Sequence, residues 1–275
     1  MDKLICSVCI FDTRSFTDNL RYFSKIDDTD FIELIKILCQ NGLQLASELD
    51  KGNNFYFNST GDGFITIFFG NNSSIKCYLY SLILSKKNKD ECIKFKEKKN
   101  REIKFGIGLE FGTVERVEIN SSEYKIITYI GDVINITARI EAETKNHFSA
   151  NIMMGENINK DIVKKLYNID YDDIVKKVKI SNNIKSVTKY LNMLNTINHK
   201  MLLTFLSEHI LKGVEKQVAL FRVSPTLSKR DSPYFHNFIK KCTEHLNIDS
   251  TNIYKIIREG ETDLIGTAKA PWNVL

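Results

Sequence analysis

The chain has 275 residues, 43% hydrophobic and 27% charged, with a formal net charge of +5. Such a balance supports a real core, in one large domain or one ordinary domain with additions. No apolar run approaches ~18 residues, which argues against a membrane-spanning helix.

The modest positive charge comes from lysines alternating with Asp and Glu. It requires no nucleic-acid partner and is equally consistent with a small anionic ligand. The first residues run directly into a strand-like segment without the features of a signal peptide, so a cytoplasmic protein is expected.

Residues 4–11 are almost continuously apolar and fit a central strand. They include Cys6 and Cys9. With no second pair at zinc spacing, these read as buried strand cysteines rather than a redox pair. Asp12 follows at the strand's C-terminal end, where a carboxylate serves as a helix cap or a metal ligand.

Residues 30–49 read as a helix, with Asp30 and Glu33 as a capping-box-like start and Phe31, Leu34, Ile35, Leu38, Leu45 and Leu49 on one face. Residues 55–69 read as a hairpin around Gly61-Asp62-Gly63. Asp62 either simply makes the turn or adds a second carboxylate beside Asp12. The latter requires the first strand to pair with this hairpin.

A second helix is predicted from residue 74 to about residue 98. A glycine-bearing strand follows over 103–112, where the glycines signal a bulge or a close approach by another backbone or a ligand. A further strand spans 123–130. It leads into Tyr129-Ile-Gly-Asp-Val-Ile-Asn-Ile-Thr-Ala-Arg-Ile-Glu141, a strand end, a glycine turn and a helix. Asn135 and Arg139 lie one turn apart on one helix face, while Val133, Ile136 and Ile140 can pack inward. An amide and a guanidinium on an exposed stripe can hold an anion, or can be a solvated face.

Short strand and helix signals follow at 150–154 and 157–167. Residues 170–198 read as a loop-rich insertion. Residues 202–223 form a closing hairpin, and the tail from 224 to 275 carries an amphipathic helix around 235–246. The order strand, helix, hairpin, helix, strand gives an α+β, ferredoxin-like βαββαβ core with helices on one face.

Five segments resemble class III nucleotidyl cyclases in order and spacing. Phe11-Asp-Thr-Arg-Ser-Phe-Thr17 resembles their metal-binding strand end, and Gly61-Asp-Gly-Phe64 their hairpin. Gly106-Ile-Gly-Leu-Glu-Phe-Gly112 resembles their glycine strand, Gly131 to Glu141 their catalytic helix, and Leu211-Lys-Gly213 their closing turn. The match runs over roughly residues 4 to 223, so 1–223 is expected to be the catalytic domain and 224–275 a C-terminal extension.

The resemblance implies that Asp12, Asp62 and the carbonyl of Thr13 hold two Mg²⁺ or Mn²⁺ ions. It implies that Asn135 orients the ribose, that Arg139 stabilises charge at the α-phosphate, and that Lys212, Phe16 and Thr17 contact phosphates. It further implies a homodimer whose active sites draw on both protomers.

One base-reading position departs from the purine enzymes: Asn58 stands where the family has Lys or Glu. Thr128 stands at the second base position, where the adenine enzymes of the family carry Asp or Thr. An amide at 58 can pair with either pyrimidine. The chain is similar in this respect to the stand-alone pyrimidine cyclases of the Pycsar anti-phage systems, whose product activates a separate effector. CTP is placed ahead of UTP. An adenylate cyclase and a non-catalytic nucleotide sensor are the alternatives. The family Arg before the glycine strand is absent, with Gly106 in its place and Lys104 two residues earlier, and Glu110 replaces the family His.

Overall fold

A computed structural model describes residues 3–52, 54–121, 123–146, 151–180, 184–201, 203–211, 217–223, 232–249 and 253. The chain opens with β1 (Lys3–Thr13), followed by α1 (Phe16–Lys25), α2 (Asp30–Leu49), β2 (Phe55–Ser59) and β3 (Gly63–Phe69). Then come α3 (Ser73–Lys99), β4 (Phe105–Asn120), β5 (Lys125–Ile130), α4 (Asp132–Glu143), β6 (Ile152–Met154) and α5 (Glu156–Tyr167). The last elements are α6 (Tyr171–Ile180), α7 (Ile184–Lys200), β7 (Leu203–Ile210), β8 (Gln217–Val223) and α8 (Ser232–Leu246).

The expected βαββαβ order is present. The strands form one eight-stranded mixed sheet in the order β2-β3-β1-β4-β6-β8-β7, with β5 paired to β4. Strand β1 lies at its centre because its residues are apolar on both faces. Cys9 and Phe11 join the main core, while Cys6 and Val8 join a cluster on the other face. The Cys-x-x-Cys spacing therefore turns the two thiols to opposite sides of the sheet, as an odd spacing on a strand must. Both are buried and free.

The main core lies between one sheet face and helices α2, α3 and α5. Phe11 stacks on Phe64 at 4.8 Å, and Tyr80 bonds through its hydroxyl to Thr66 Oγ1 at 3.0 Å and Gly42 O at 3.1 Å. Helix α8 also enters this core through Phe235, Phe238, Ile239 and Cys242.

Helix α4 departs from the one-face expectation, because it packs on the opposite side of the sheet. The even-numbered positions of β4 explain this. A Cβ on Gly108 would come within 2.5 Å of Thr137 O and of Glu141 N, and one on Gly112 within 3.0 Å of Val133. The glycines form a trough in which the helix backbone rests directly on the strand.

Other differences are local. Helix α1 was not anticipated, although Phe16, Leu20 and Phe23 follow helical spacing toward the core. Strand β4 continues to Asn120, well past Gly112, because its outer half pairs with β5 from Glu115↔Ile130 to Asn120↔Lys125. The loop-rich reading of 170–198 gives way to helices α6 and α7, anchored by buried Ile174, Leu194 and Ile197. The capping box at α2 is replaced by Asp28, whose Oδ1 accepts from Asp30 N at 2.9 Å, while Glu33 pairs with Lys36 at 3.0 Å.

Candidate active site

Strand pairing brings Asp12 and Asp62 together. Asp12 is in register with Gly63 on one side and Gly106 on the other. Thr13 N–H donates to Asp62 O at 3.1 Å, which ties the β2–β3 turn to the end of β1. Gly61 takes φ +99° to make that turn, and a Cβ at Gly63 would collide with Phe11 O at 2.1 Å. Both glycines are therefore needed where they stand. Asp12 caps no helix: the cap position of α1 is Ser15, in the left-handed region with no side-chain cap bond.

Burial and the nearby charge of Asp62 raise the pKa of Asp12 above the ordinary carboxylate value, while Lys145 and Arg14 pull it down. Lys145 Nζ lies 3.6 Å from Asp12 Oδ2. Two carboxylates that repel each other at a half-buried strand end suit a divalent cation, and hard oxygen donors suit Mg²⁺ or Mn²⁺. Among the described residues no group of three or more His, Cys, Asp and Glu is arranged to hold a metal. The remaining coordination positions would thus fall to backbone carbonyls, water or a ligand's oxygens.

Thr13 is buried, and its hydroxyl has no partner. Phe16 and Thr17 form the first turn of α1, where backbone N–H groups lack intrahelical acceptors and favour anions. Phe16 itself packs its ring on Phe31 at 5.6 Å.

Asn135 and Arg139 lie together on the exposed face of α4, whereas Val133 and Ile140 are buried. Neither polar side chain has a hydrogen-bond or ion-pair partner among the described residues. Asn58 is exposed on β2. Its sheet face is that of Tyr56, whose ring meets Tyr129 at 5.0 Å. Phe55 and Phe57 alternate onto the other face and pack in the main core, so they do not flank Asn58. Thr128 alternates with Tyr129 and is turned away from that ring contact. Lys212 lies outside the described residues.

Glu110 sits beneath the N-terminus of α5. Its Oε1 accepts from Phe111 N at 2.7 Å and Ile158 N at 3.0 Å, and burial pushes its pKa up to about 8. It therefore works as an internal cap for α5 rather than as a phosphate contact.

Sequence reasoning missed a cluster beside Asp12. Arg14 Nη2 donates to Thr144 Oγ1 at 2.8 Å across 130 residues of chain. Glu141 is buried beside it, its pKa raised to about 7 by burial and then by the Asp12 charge. A Cβ on Gly106 would lie 2.3 Å from both Glu141 Oε1 and Thr144 Oγ1. Gly106 stands in place of the Arg that the resemblance expects, and the space is filled by Glu141 and Thr144, with Arg14 bonded to Thr144.

With this geometry in place, the chain can be set beside known proteins. Its fold is shared with the adenylyl cyclase CyaB from P. aeruginosa, at TM-score 0.53 and 14% identity, covering 84% of this chain and 97% of that one. The fold is that of a cyclase catalytic domain. The guanylyl cyclase Cya2 matches at TM-score 0.51 and 12% identity, over 81% of this chain and 92% of that one. In sequence, the chain is 26% identical over 151 residues to an adenylate cyclase of Anabaena cylindrica, covering 52% of this chain. That match spans 29% of the relative's length. No family model matches the chain. The chain is thus similar in sequence to an adenylate cyclase over part of its length, and in fold to adenylyl and guanylyl cyclases. No helix among the described residues is long and apolar enough to cross a membrane.

Proposed function

We propose that the chain is a nucleotide cyclase that converts a pyrimidine nucleoside triphosphate, CTP ahead of UTP, into its 3′,5′-cyclic monophosphate and diphosphate. The observation that carries the cyclase reading is the convergence of Asp12 and Asp62 at one strand end, in a chain that also presents Asn135 and Arg139 on α4 without a hydrogen-bond or ion-pair partner among the described residues. In the reaction the ribose 3′-oxygen attacks the α-phosphorus, its proton leaves, and the bond to the bridging oxygen of the β-phosphate breaks.

Asp12, Asp62 and the Thr13 carbonyl would hold two divalent ions, which supply charge neutralisation and a more acidic 3′-hydroxyl. Asn135 orients the ribose through its amide. Arg139 offers a fixed cation to the charge that builds on the α-phosphate, and as a guanidinium it never becomes a base. Phe16 and Thr17 N–H groups, with Lys212, hold the remaining phosphates.

Asn135 and Arg139 point away from the sheet that carries their own Asp12. A homodimer, in which each protomer lends its α4 stripe to the other's carboxylates, resolves that separation. The β4–β5 ribbon supports the same reading through exposed Ile119, Ile126 and Ile130, 55%, 57% and 61% accessible in the single chain.

The pyrimidine assignment rests on Asn58. An amide offers one donor and one acceptor, which match cytosine N3 and N4 or, flipped, uracil N3 and O4. Adenine N1 and N6 offer the same pair as cytosine, so the pyrimidine reading rests on the loss of the purine enzymes' Lys or Glu at this position rather than on the amide pattern alone. A cyclic pyrimidine nucleotide acting on a separate effector in anti-phage defence is the biological role that follows. The similarity to a protein named as an adenylate cyclase favours a second reading, synthesis of cyclic AMP.

Incubating the pure protein with Mn²⁺ and each of the four nucleoside triphosphates, then identifying products by mass, separates the two. Cyclic CMP or cyclic UMP is expected; cyclic AMP alone would reverse the base assignment, and no cyclic product would remove the enzyme reading.

A further inference from the structure

Two cations stand against Asp12 on the α4 side, Arg14 within the Phe11–Thr17 motif and Lys145 outside every motif, and the resemblance gives neither of them a role. Arg14 lies just past the end of β1, its backbone N–H held by Lys104 O at 2.8 Å. Its side chain is fastened at one point only, the Nη2 bond to Thr144 Oγ1. Its Nε is buried without a partner. The charges of Glu141 and Asp12 both act on it, yet among the described residues neither carboxylate closes an ion pair with it. Lys145, next after Thr144, reaches Asp12 from a half-exposed position, 49% accessible against 27% for Asp12. Lys104, the other base nearby, is turned to Glu102 at 3.2 Å.

A guanidinium whose task was to fasten α4 would be expected to close its fork on Glu141, whose Oε1 is also buried and unpartnered. Instead a neutral hydroxyl holds Nη2, and Nε is buried without a partner. A guanidinium so lightly held on a half-buried residue leaves its outer edge open to an anion. Gly106 keeps this arrangement possible, since any side chain there would displace Glu141 and Thr144. The result is a carboxylate pair at the end of β1 with a guanidinium and an ammonium beside it, which suits an anion that is itself bridged to carboxylates by divalent cations.

We propose that Arg14, with Lys145 beside it, binds the β- and γ-phosphates of the nucleoside triphosphate. This rests on the cyclase reading and adds to it two substrate-contacting residues from the metal-carrying protomer. Arg14 offers a directed fork, fixed in place by Thr144, whereas Lys145 is a mobile point charge. Divalent ions held at Asp12 would weaken the attraction that keeps Lys145 there and would leave its ammonium for the phosphates.

The test uses the full chain and ligands that differ only in phosphate number. Affinities for inorganic tripolyphosphate, a non-hydrolysable triphosphate analogue and the matching nucleoside monophosphate are measured by calorimetry with Mg²⁺ present. Arg14→Ala is expected to weaken the first two roughly ten- to a hundredfold, the effect of losing a charge-assisted contact, and to leave the monophosphate unchanged. Arg14→Lys should recover part of the loss, and Lys145→Ala should show a smaller loss with the same selectivity. Arg14→Gln, which keeps a donor for Thr144, reads the same way if the alanine variant does not fold.

Equal weakening of monophosphate and triphosphate, with a lower melting temperature, would assign Arg14 to holding α4 and overturn the proposal. So would unchanged tripolyphosphate affinity in variants that still fold. A wild-type chain that cyclises nucleotides beside an Arg14 variant with full affinity sinks this inference alone, whereas a wild-type chain that binds no triphosphate sinks the cyclase reading with it.

Discussion

Glu110 is a carboxyl group placed where water does not reach, and its effect depends on pH. Its folded-state value near 8 stands above the ordinary 4.5 because burial outweighs the backbone N–H groups that favour the charged form. Between those two values the folded chain keeps a proton that the unfolded chain has released, so stability falls as pH rises through that window. Glu110→Gln keeps an oxygen for Phe111 N and Ile158 N and removes the titration. Its free energy of unfolding, read from urea titrations, should exceed wild type above about pH 8 by on the order of a few kcal/mol, and match it near pH 5. A gain that is equal at both ends would mean the carboxyl does not titrate there.

Arg139→Ala should lower turnover roughly 10²–10³-fold while leaving the melting temperature in place, because the side chain is exposed and makes no hydrogen bond or ion pair among the described residues. Steady-state rates with Mn²⁺ and the preferred nucleotide check this, and an unaltered rate would remove Arg139 from the chemistry. Asp12, Asp62, Asn135 and Arg139 were legible as site candidates because each sits in a short, ordered motif. Arg14 was not, since its significance comes from Thr144, 130 residues away, and from the space that Gly106 leaves. Asn58 was legible but its supposed aromatic neighbours were not: strand alternation alone sends Phe55 and Phe57 to the core.

At the level of elements, α4 lies backbone-close on β4. Gly108→Ala would press a methyl to 2.5 Å from Thr137 O and Glu141 N. The helix cannot yield without lifting off the strand, so a loss of about 2 kcal/mol or more is expected, read from urea unfolding. Activity should fall with it, because the same helix presents Asn135 and Arg139. A neutral substitution would show that α4 floats above the sheet.

The strong periodicity of α2 and the Gly-Asp-Gly turn were readable because local sequence and final packing agree. Helices α6 and α7 were not, since their sequences are polar and Asn-rich, and a few buried residues such as Leu194 and Ile197 stabilise them from outside. The outer half of β4 was missed for a related reason. Pairing with β5, not burial, holds it straight, and its residues from Glu118 to Asn120 are exposed.

On the scale of the whole molecule, the proposed homodimer makes a prediction that no single chain can satisfy. Asp62→Ala and Arg139→Ala proteins should each be inactive, yet mixing and exchanging their subunits should restore activity, to roughly a quarter of wild type if exchange is random. Half of such dimers are mixed, and each mixed dimer regains one intact site. No recovery after verified exchange would place both functions in one protomer.

The contact at Gly131 bears on how such an enzyme could be controlled. A Cβ there would lie 2.6 Å from Thr113 O and 3.1 Å from Val114 Cα, so the start of α4 is seated hard against the base of the β4–β5 ribbon. Ribbon and helix form a single crank. Because α4 also rests on the glycines of β4, which pairs with β1 beside Asp12, ribbon, helix and Asp12 would move as one piece. In the proposed homodimer a change of angle between subunits would then shift Asn135 and Arg139 against the partner's carboxylates rather than their own, altering the rate from outside the nucleotide cleft.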